Sequence, residues 1–411
     1  MLYGRDFTHP RNTLVSIFTA IMLCCSQFAV IVDKEGISVV VIVAFFLLAV
    51  LFGGVKHITQ QTILLIGFIL TVFFINLLLV SEPVVKEYFE CFLCFGIPFL
   101  LLPYHKVDAK IVIRTVFCIS LLALPSYLTY NYGYGDLGDG TYEAGYLMTM
   151  SYRMLILIFA CFLMAIAREC LLLIRLLALL TMIIYLALFF IVGSRGAIIS
   201  LFAFLFILYI HSSPNSRVYK KRILLTIGLV IVFVLLFGYI IDVVFNLLGQ
   251  RGINVLAIER LYSNLNEGYG SLDTGRSSLY SSSIDNFISS PLFGTGIGSS
   301  NNYKIYPHNL FLQIMEEGGL LFLILFSFLF LKGFALLLRR QTNNNFFTLL
   351  AITFCSGVIQ LFFSFHYWGS FFFWSYIGLV MNSKMLNSKI LQDIKNENSY
   401  SYRALRTPVA S

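Results

Sequence analysis

Apolar runs of about 18 residues or more, separated by short polar connections, set the pattern of this chain from end to end. A helix rises about 1.5 Å per residue, so a run of that length crosses roughly 30 Å of hydrocarbon. The pattern predicts spans near 14–32, 37–55, 63–80, 88–103, 111–130, 152–167, 172–192, 196–211, 223–241, 309–331, 346–363 and 367–382. The expected fold is an all-α integral membrane protein with about 12 transmembrane helices. The runs at 88–103 and 196–211 are short and the weakest signals, and small boundary shifts would make the count eleven or thirteen. On this reading 1–241 holds about nine spans, 242–308 is one large polar loop, 309–382 holds about three spans, and 383–411 is a polar tail.

Most connections are barely turns, such as "DKEG" (33–36) and "GSRG" (193–196). Two segments on one side are longer: 131–151, rich in Gly, Tyr and acidic residues, and the 242–308 loop. Long structured loops in a tight bundle are more often functional than not. Within the larger loop, "VLAIERLYSNL" (255–265) and "RSSLYSSSIDNFI" (276–288) place apolar residues three and four apart, which predicts short amphipathic helices on the membrane surface. Pro291 ends the second, and "GTGIGSSNN" (294–302) is a glycine-rich turn. No internal repeat is visible.

Composition agrees with the membrane reading: 59% of residues are hydrophobic and 12% charged, where a soluble domain is nearer a quarter charged. Of the 28 Lys and Arg, only Lys34, Lys86, Arg153, Arg195, Arg251, Arg260, Arg276 and Lys304 fall on the side of the large loop. Basic residues collect on the cytoplasmic side, so both termini are expected there and the large loop outside. The asymmetry also accounts for the net charge of +8 without nucleic acid. The first run is too long for a signal-peptide core and reads as a retained helix. The eight cysteines lie in or beside apolar runs; Cys91 and Cys94 form a C-x-x-C with no further ligand nearby, which argues against a metal or redox site.

The outer face offers four residues for chemistry. Ser194 is placed to cap the helix that follows it, which leaves Arg195 in a first turn, where helix polarity disfavours a cation. Snorkelling to lipid phosphate is the simpler explanation; an anion site built from guanidinium and free amides is the functional one. Arg276 opens an amphipathic helix with the same oddity, and Arg153 is a weaker companion. The amides around Gly294 and Gly296 are able to cradle phosphate. His308 precedes a helix that Asn309 caps; it titrates near neutral pH and suits proton transfer. Glu316 and Glu317 lie too far down that helix to orient the ring and are expected to bond locally around Gly318 and Gly319. His366, with Tyr367 and Trp368, reads as part of an interfacial aromatic belt. No metal-ligand cluster and no cofactor motif is seen. Arginines can stabilise a diphosphate leaving group without a divalent ion, and a hydroxyl nucleophile needs a base.

"GSRGAIISL", "GRSSLYSSSIDNFISSPLFGTGIG" and "YPHNLFLQIMEEGGLLF" resemble, in order and spacing over about 190–325, the three blocks of the O-antigen polymerase/ligase superfamily of bacterial inner-membrane proteins. The H-N-x-x-L block followed by an acidic residue and glycine is the most specific. One departure is Phe322, where a second glycine often follows Gly319. The resemblance implies a GT-C-like, metal-independent glycosyltransferase whose large loop and active site are periplasmic. It implies undecaprenyl-diphosphate-linked oligosaccharide as donor and a glycan acceptor in the lipid bilayer, with a chain-length regulator or a flippase of the same pathway as candidate partners. Carried over by position, His308 becomes the base and Arg195 and Arg276 the diphosphate ligands; Arg153 matches no block. Asn309, Gly294, Gly296 and Glu317 are supporting residues.

The expected function is polymerisation of O-antigen or capsule repeat units. The alternative is ligation of finished polymer to lipid A-core, which uses the same donor and motif. The Tyr-rich outer segments, able to stack on sugars, favour polymerisation mildly. A lipid-linked oligosaccharide transporter is a more distant third, because transporters place ionisable groups at mid-membrane and these runs are almost charge-free, Glu90 being marginal.

Overall fold

The computed structural model describes residues 10–32, 36–54, 58–79, 82–129, 142–192, 194–212, 276–299, 306–339 and 344–383, with 218, 221, 222 and 225 besides. The span expected at 223–241, the amphipathic segment 255–265, most of the Gly/Tyr-rich stretch and the tail after 383 lie outside the described residues. The described residues are helical, without a strand.

Six described helices are long and apolar enough to cross a membrane: Gln60–Leu79, Ala109–Thr129, Thr149–Ile166, Leu172–Phe190, Leu310–Leu338 and Asn344–Phe362. Pro10–Leu23 and Cys25–Val32 make a seventh if the pair, bent by 57°, is one span. This falls short of twelve for identifiable reasons. Ile37–Gly53 and Arg195–His211 have 17 residues each. The 88–103 run is divided into Pro83–Cys91, a π-helical turn Phe92–Gly96 and Ile97–Leu100. Pro98 can give no N–H to the carbonyl four residues back, and a widened turn before it absorbs the mismatch.

The packing follows from two apolar faces of different use. Helix Leu172–Val192 exposes Leu173, Leu176, Leu180 and Ile183 along one stripe and buries Ala178, Thr181, Tyr185 and Phe189 along the other. An exposed stripe of that kind needs an apolar surrounding such as lipid. The buried stripe packs on helix Tyr142–Ile166, which is buried at nearly every position from Met150 to Cys161 and forms the interior of the bundle. Two tyrosines pair inside the bundle: Tyr185 donates to the Ser120 carbonyl (2.7 Å), and Tyr127 donates to Gln27 Oε1 (2.7 Å). Residues 344–383 form a second buried body rich in aromatic rings, with Trp368 and Trp374 fully enclosed.

Candidate functional site

The stretch "YPHNLFLQIMEEGGLLF" folds as a capped and then broken helix. Asn309 is extended, and its Oδ1 accepts from the amides of Phe311 (3.1 Å) and Leu312 (3.3 Å). The helix stops at Gly319, with φ 60° and ψ −154°, and resumes to Leu338. A break leaves amides without helical acceptors. Here the loop after helix Arg276–Ser289 supplies them: Leu320 N donates to the Pro291 carbonyl (2.8 Å) and Leu321 N to that of Leu292 (3.3 Å), while Thr295 N returns a bond to the Glu316 carbonyl (2.8 Å). The two glycines meet face to face. A Cβ on Gly319 would lie 2.6 Å from Gly294 N, and one on Gly294, itself at φ +72°, 2.5 Å from the Glu316 carbonyl. Only glycine combines that backbone with that approach. Phe322, the departure from the family pattern, is buried against Gly318 and edge-on to Phe68.

This docking corrects the expectation that the glycine-rich turn cradles phosphate. Its amides are committed within the protein: Thr295 N to Glu316, Ile297 N to Asn76 Oδ1 (3.0 Å), Gly298 N to Glu317 Oε1 (3.3 Å). Gly294 and Gly296, both at positive φ, shape the loop instead. The glutamates also bond well beyond their own helix. Glu316 Oε1 accepts from Asn286 Nδ2 (2.6 Å), tying the amphipathic helix to the broken one. Glu317, fully buried, accepts from Tyr367 Oη (2.7 Å), Trp368 Nε1 (2.8 Å) and Gln313 Nε2 (2.9 Å) as well as Gly298 N. Tyr367 and Trp368 are therefore buried hydrogen-bond donors rather than members of an interfacial belt. His366 is buried too; its Nδ1 accepts from Gly369 N (3.3 Å), its ring stacks on Tyr88 (4.5 Å), and burial pushes its pKa down to about 4.

His308 stands just before the cap, at φ 51°. It and Phe365, at φ 70°, are the non-glycine residues with positive φ among the described residues. Each such conformation costs about 1–3 kcal/mol and persists where the surroundings hold it. Tyr306 is the link between the two strained segments: its ring lies 4.3 Å from His308 and 5.7 Å from His366. His308 Nδ1 is buried with no hydrogen-bond partner among the described residues. Burial, then the positive charge of Arg276, push the imidazole down to about 4. It is therefore neutral near pH 7, which corrects the expectation of a group titrating there. Arg276 opens helix Arg276–Ser289, and its Nη2 donates to the Phe363 carbonyl (3.0 Å). A guanidinium anchored on backbone at one nitrogen keeps its direction while the rest of its donors face elsewhere.

Arg195 opens helix Arg195–His211 behind the Ser194 cap, whose Oγ accepts from Ala197 N (3.2 Å); its side chain lies outside the described part. The next residue, Gly196, presses on Phe363, the residue that anchors Arg276, so the backbones of these two motifs converge. Arg153 points to a different neighbourhood: its carbonyl accepts from Gln27 Nε2 (2.8 Å) and its charge acts on Cys25. Among the described residues no contact joins it to His308 or Arg276. Tyr306, Phe363, Phe365, Asn76 and Asn286 were not singled out by sequence reasoning. For Tyr306 a signal existed, since it stands two residues before His308; for Phe363 and Asn76 the partner is more than 80 positions away, and for Asn286 it lies on the next helix.

Residues 180–327 match the family model described as O-antigen ligase. Comparison with curated proteins and with solved structures gives no match. The matched segment holds Arg195, Arg276, the Gly294 loop, His308 and the break at Gly319, and the match supports an O-antigen polymerase/ligase-like family.

Proposed function

We propose that this is a membrane glycosyltransferase that moves a glycan from a lipid diphosphate to an acceptor sugar hydroxyl. One observation carries the reading. A neutral imidazole with a buried, unpartnered Nδ1 lies within electrostatic reach of a backbone-anchored arginine, inside the matched segment. The acceptor oxygen attacks the anomeric carbon of the donor sugar, the bond from that carbon to the phosphate oxygen breaks, and the lipid diphosphate leaves with the electron pair. His308 takes the hydroxyl proton, and Arg276, with Arg195, offsets the charge on the leaving diphosphate. In the free protein Arg276 suppresses the basicity of His308; a diphosphate seated on Arg276 cancels that charge and makes the imidazole a stronger base when it is needed.

The reading includes about twelve crossings, GT-C-like in arrangement, both termini cytoplasmic and the site on the periplasmic face of the inner membrane, in line with the distribution of basic residues. Undecaprenyl diphosphate is the carrier the family resemblance implies. Polymerisation of repeat units is the leading assignment; ligation to lipid A-core is the second, favoured by the description of the matched family.

The test is a lipopolysaccharide or capsule gel from a strain lacking the gene, complemented with wild type or His308→Ala. Core bearing a single repeat unit identifies a polymerase, and bare core with polymer left on the carrier identifies a ligase. Wild-type product from His308→Ala overturns the assignment of the base.

A further inference from the structure

The glycine of the S-R-G motif has a neighbour that the proposed chemistry does not yet use. Tyr152, on helix Tyr142–Ile166 in the interior of the bundle, is 3% exposed. Its hydroxyl is directed at the first turn of helix Arg195–His211, so close that a Cβ on Gly196 would lie on top of it. The oxygen is buried and has no hydrogen-bond partner among the described residues. Ser194 is near enough to act on it, yet its Oγ, which accepts from Ala197 N at 3.2 Å, does not meet Tyr152 in hydrogen-bond geometry. An orphan hydroxyl in a bundle interior costs about 1–3 kcal/mol. Native chains rarely keep that cost unless something else supplies the partner.

The first turn of helix Arg195–His211 lies beside the Tyr152 hydroxyl, and Arg276 acts on it. Arg195 N and Gly196 N belong to the first turn, where no helical carbonyl precedes them to accept, while Ala197 N is capped by the Ser194 side chain and Ile198 N bonds the Ser194 carbonyl. The charge of Arg276 acts on Tyr152, and Phe363, which anchors Arg276, packs on the same Gly196. A helix N-terminus, an unpaired phenol and a guanidinium around one point make a site for an oxygen anion.

We propose that Tyr152 is a binding residue for the diphosphate of the lipid-linked substrate, donating its O–H to a phosphate oxygen held over the Ser194–Gly196 turn beside Arg276. The inference rests on the glycosyltransferase reading above and adds to it a residue outside the matched segment. It also explains Gly196: any side chain there displaces the phenol from the turn.

The experiment uses the full chain in phosphatidylethanolamine nanodiscs, with undecaprenyl diphosphate carrying no glycan as the probe and undecaprenol as the tail-only control. Tyr152→Phe keeps the ring and removes only the hydroxyl. It is expected to bind undecaprenyl diphosphate about ten-fold more weakly, the worth of one hydrogen bond to a charged group, to bind undecaprenol as wild type does, and to melt no lower than wild type. Gly196→Ala, which keeps the phenol but moves it, is expected to show the same loss. Unchanged affinity in Tyr152→Phe, with or without a lower melting temperature, overturns the proposal and leaves the wider reading intact. A wild-type protein that binds the diphosphate no better than undecaprenol overturns the wider reading itself. Inorganic diphosphate is expected to compete with the probe; displacement by phosphatidylglycerol instead makes this a general headgroup site and also overturns the proposal.

Discussion

Glu317 accepts a hydrogen bond from Trp368 Nε1 at 2.8 Å, across 51 positions of sequence. With Tyr367, Gln313 and Gly298 donating to the same carboxylate, one buried side chain joins the broken helix, the glycine-rich loop and the aromatic body that also presents Phe363 and His366. Each donor left unpaired costs about 1–3 kcal/mol. Glu317→Ala removes the acceptor for all of them, a loss comparable with the ~5–15 kcal/mol that holds an ordinary domain together. The expected outcome is a protein that fails to accumulate in membranes or melts far lower. Glu317→Gln, which keeps volume and one acceptor oxygen, should be intermediate. Full stability of Glu317→Ala would show that the contacts are incidental.

The glycine pair at the break gives a second prediction. Gly294 and Gly319 each face the other's segment at a distance no Cβ tolerates, and both are at positive φ. Alanine at either should destabilise by more than about 1 kcal/mol, since strain and clash act together. Because both substitutions open the same gap between loop and helix, the double variant should cost less than the sum of the singles. Thermal melting of the three variants decides this, and strict additivity would mean that the two segments do not share one packing unit.

How much of this was legible beforehand depended on whether a signal was local. Caps were: Ser194 and Asn309 are small polar residues before apolar runs, and both accept amides one turn on, as their chemistry requires. The apolar runs were legible too, each described one coinciding with helix, because periodicity and length are properties of the run itself. The break at Gly319 was not, since "EEGG" in an apolar run reads as a tolerated interruption until the loop that fills it is seen. Likewise nothing within "SFHYWGS" says that Tyr367 and Trp368 turn inward to a carboxylate. The perturbed titration of His308 depends on burial and on Arg276, which only the fold brings within reach.

Arg276 is held by Phe363 and acts on His308, so its substitutions should separate two effects. Arg276→Lys keeps a positive charge but loses the planar set of donors that can bind backbone and phosphate together. KM for the lipid-linked donor is expected to rise about ten-fold or more while the pH dependence stays near that of wild type. Arg276→Ala removes the charge as well. Its KM should rise further, and the acid limb of kcat/KM should move to higher pH, because the imidazole of His308 is no longer held down by a neighbouring cation. A common KM effect with no difference in the pH profiles would show that Arg276 does not govern His308.

The pH behaviour of the wild type follows from His308 and His366, both pushed down to about 4 from an ordinary value of 6.5. In activity, kcat/KM reports the free enzyme, so its acid limb should fall near 4 and not near 6.5. In stability the sign is equally definite. Between 6.5 and 4 the unfolded chain binds protons that the folded chain excludes, so the contribution is complete above about 6.5 and is lost as pH falls towards 4. His366→Gln should flatten the melting temperature against pH in that window. His308→Gln should flatten it less, since His308 is only half-buried where His366 is enclosed. A melting temperature that rises on acidification through this window would mean that both rings are charged in the folded protein, and the neutral base proposed at His308 would fall with it.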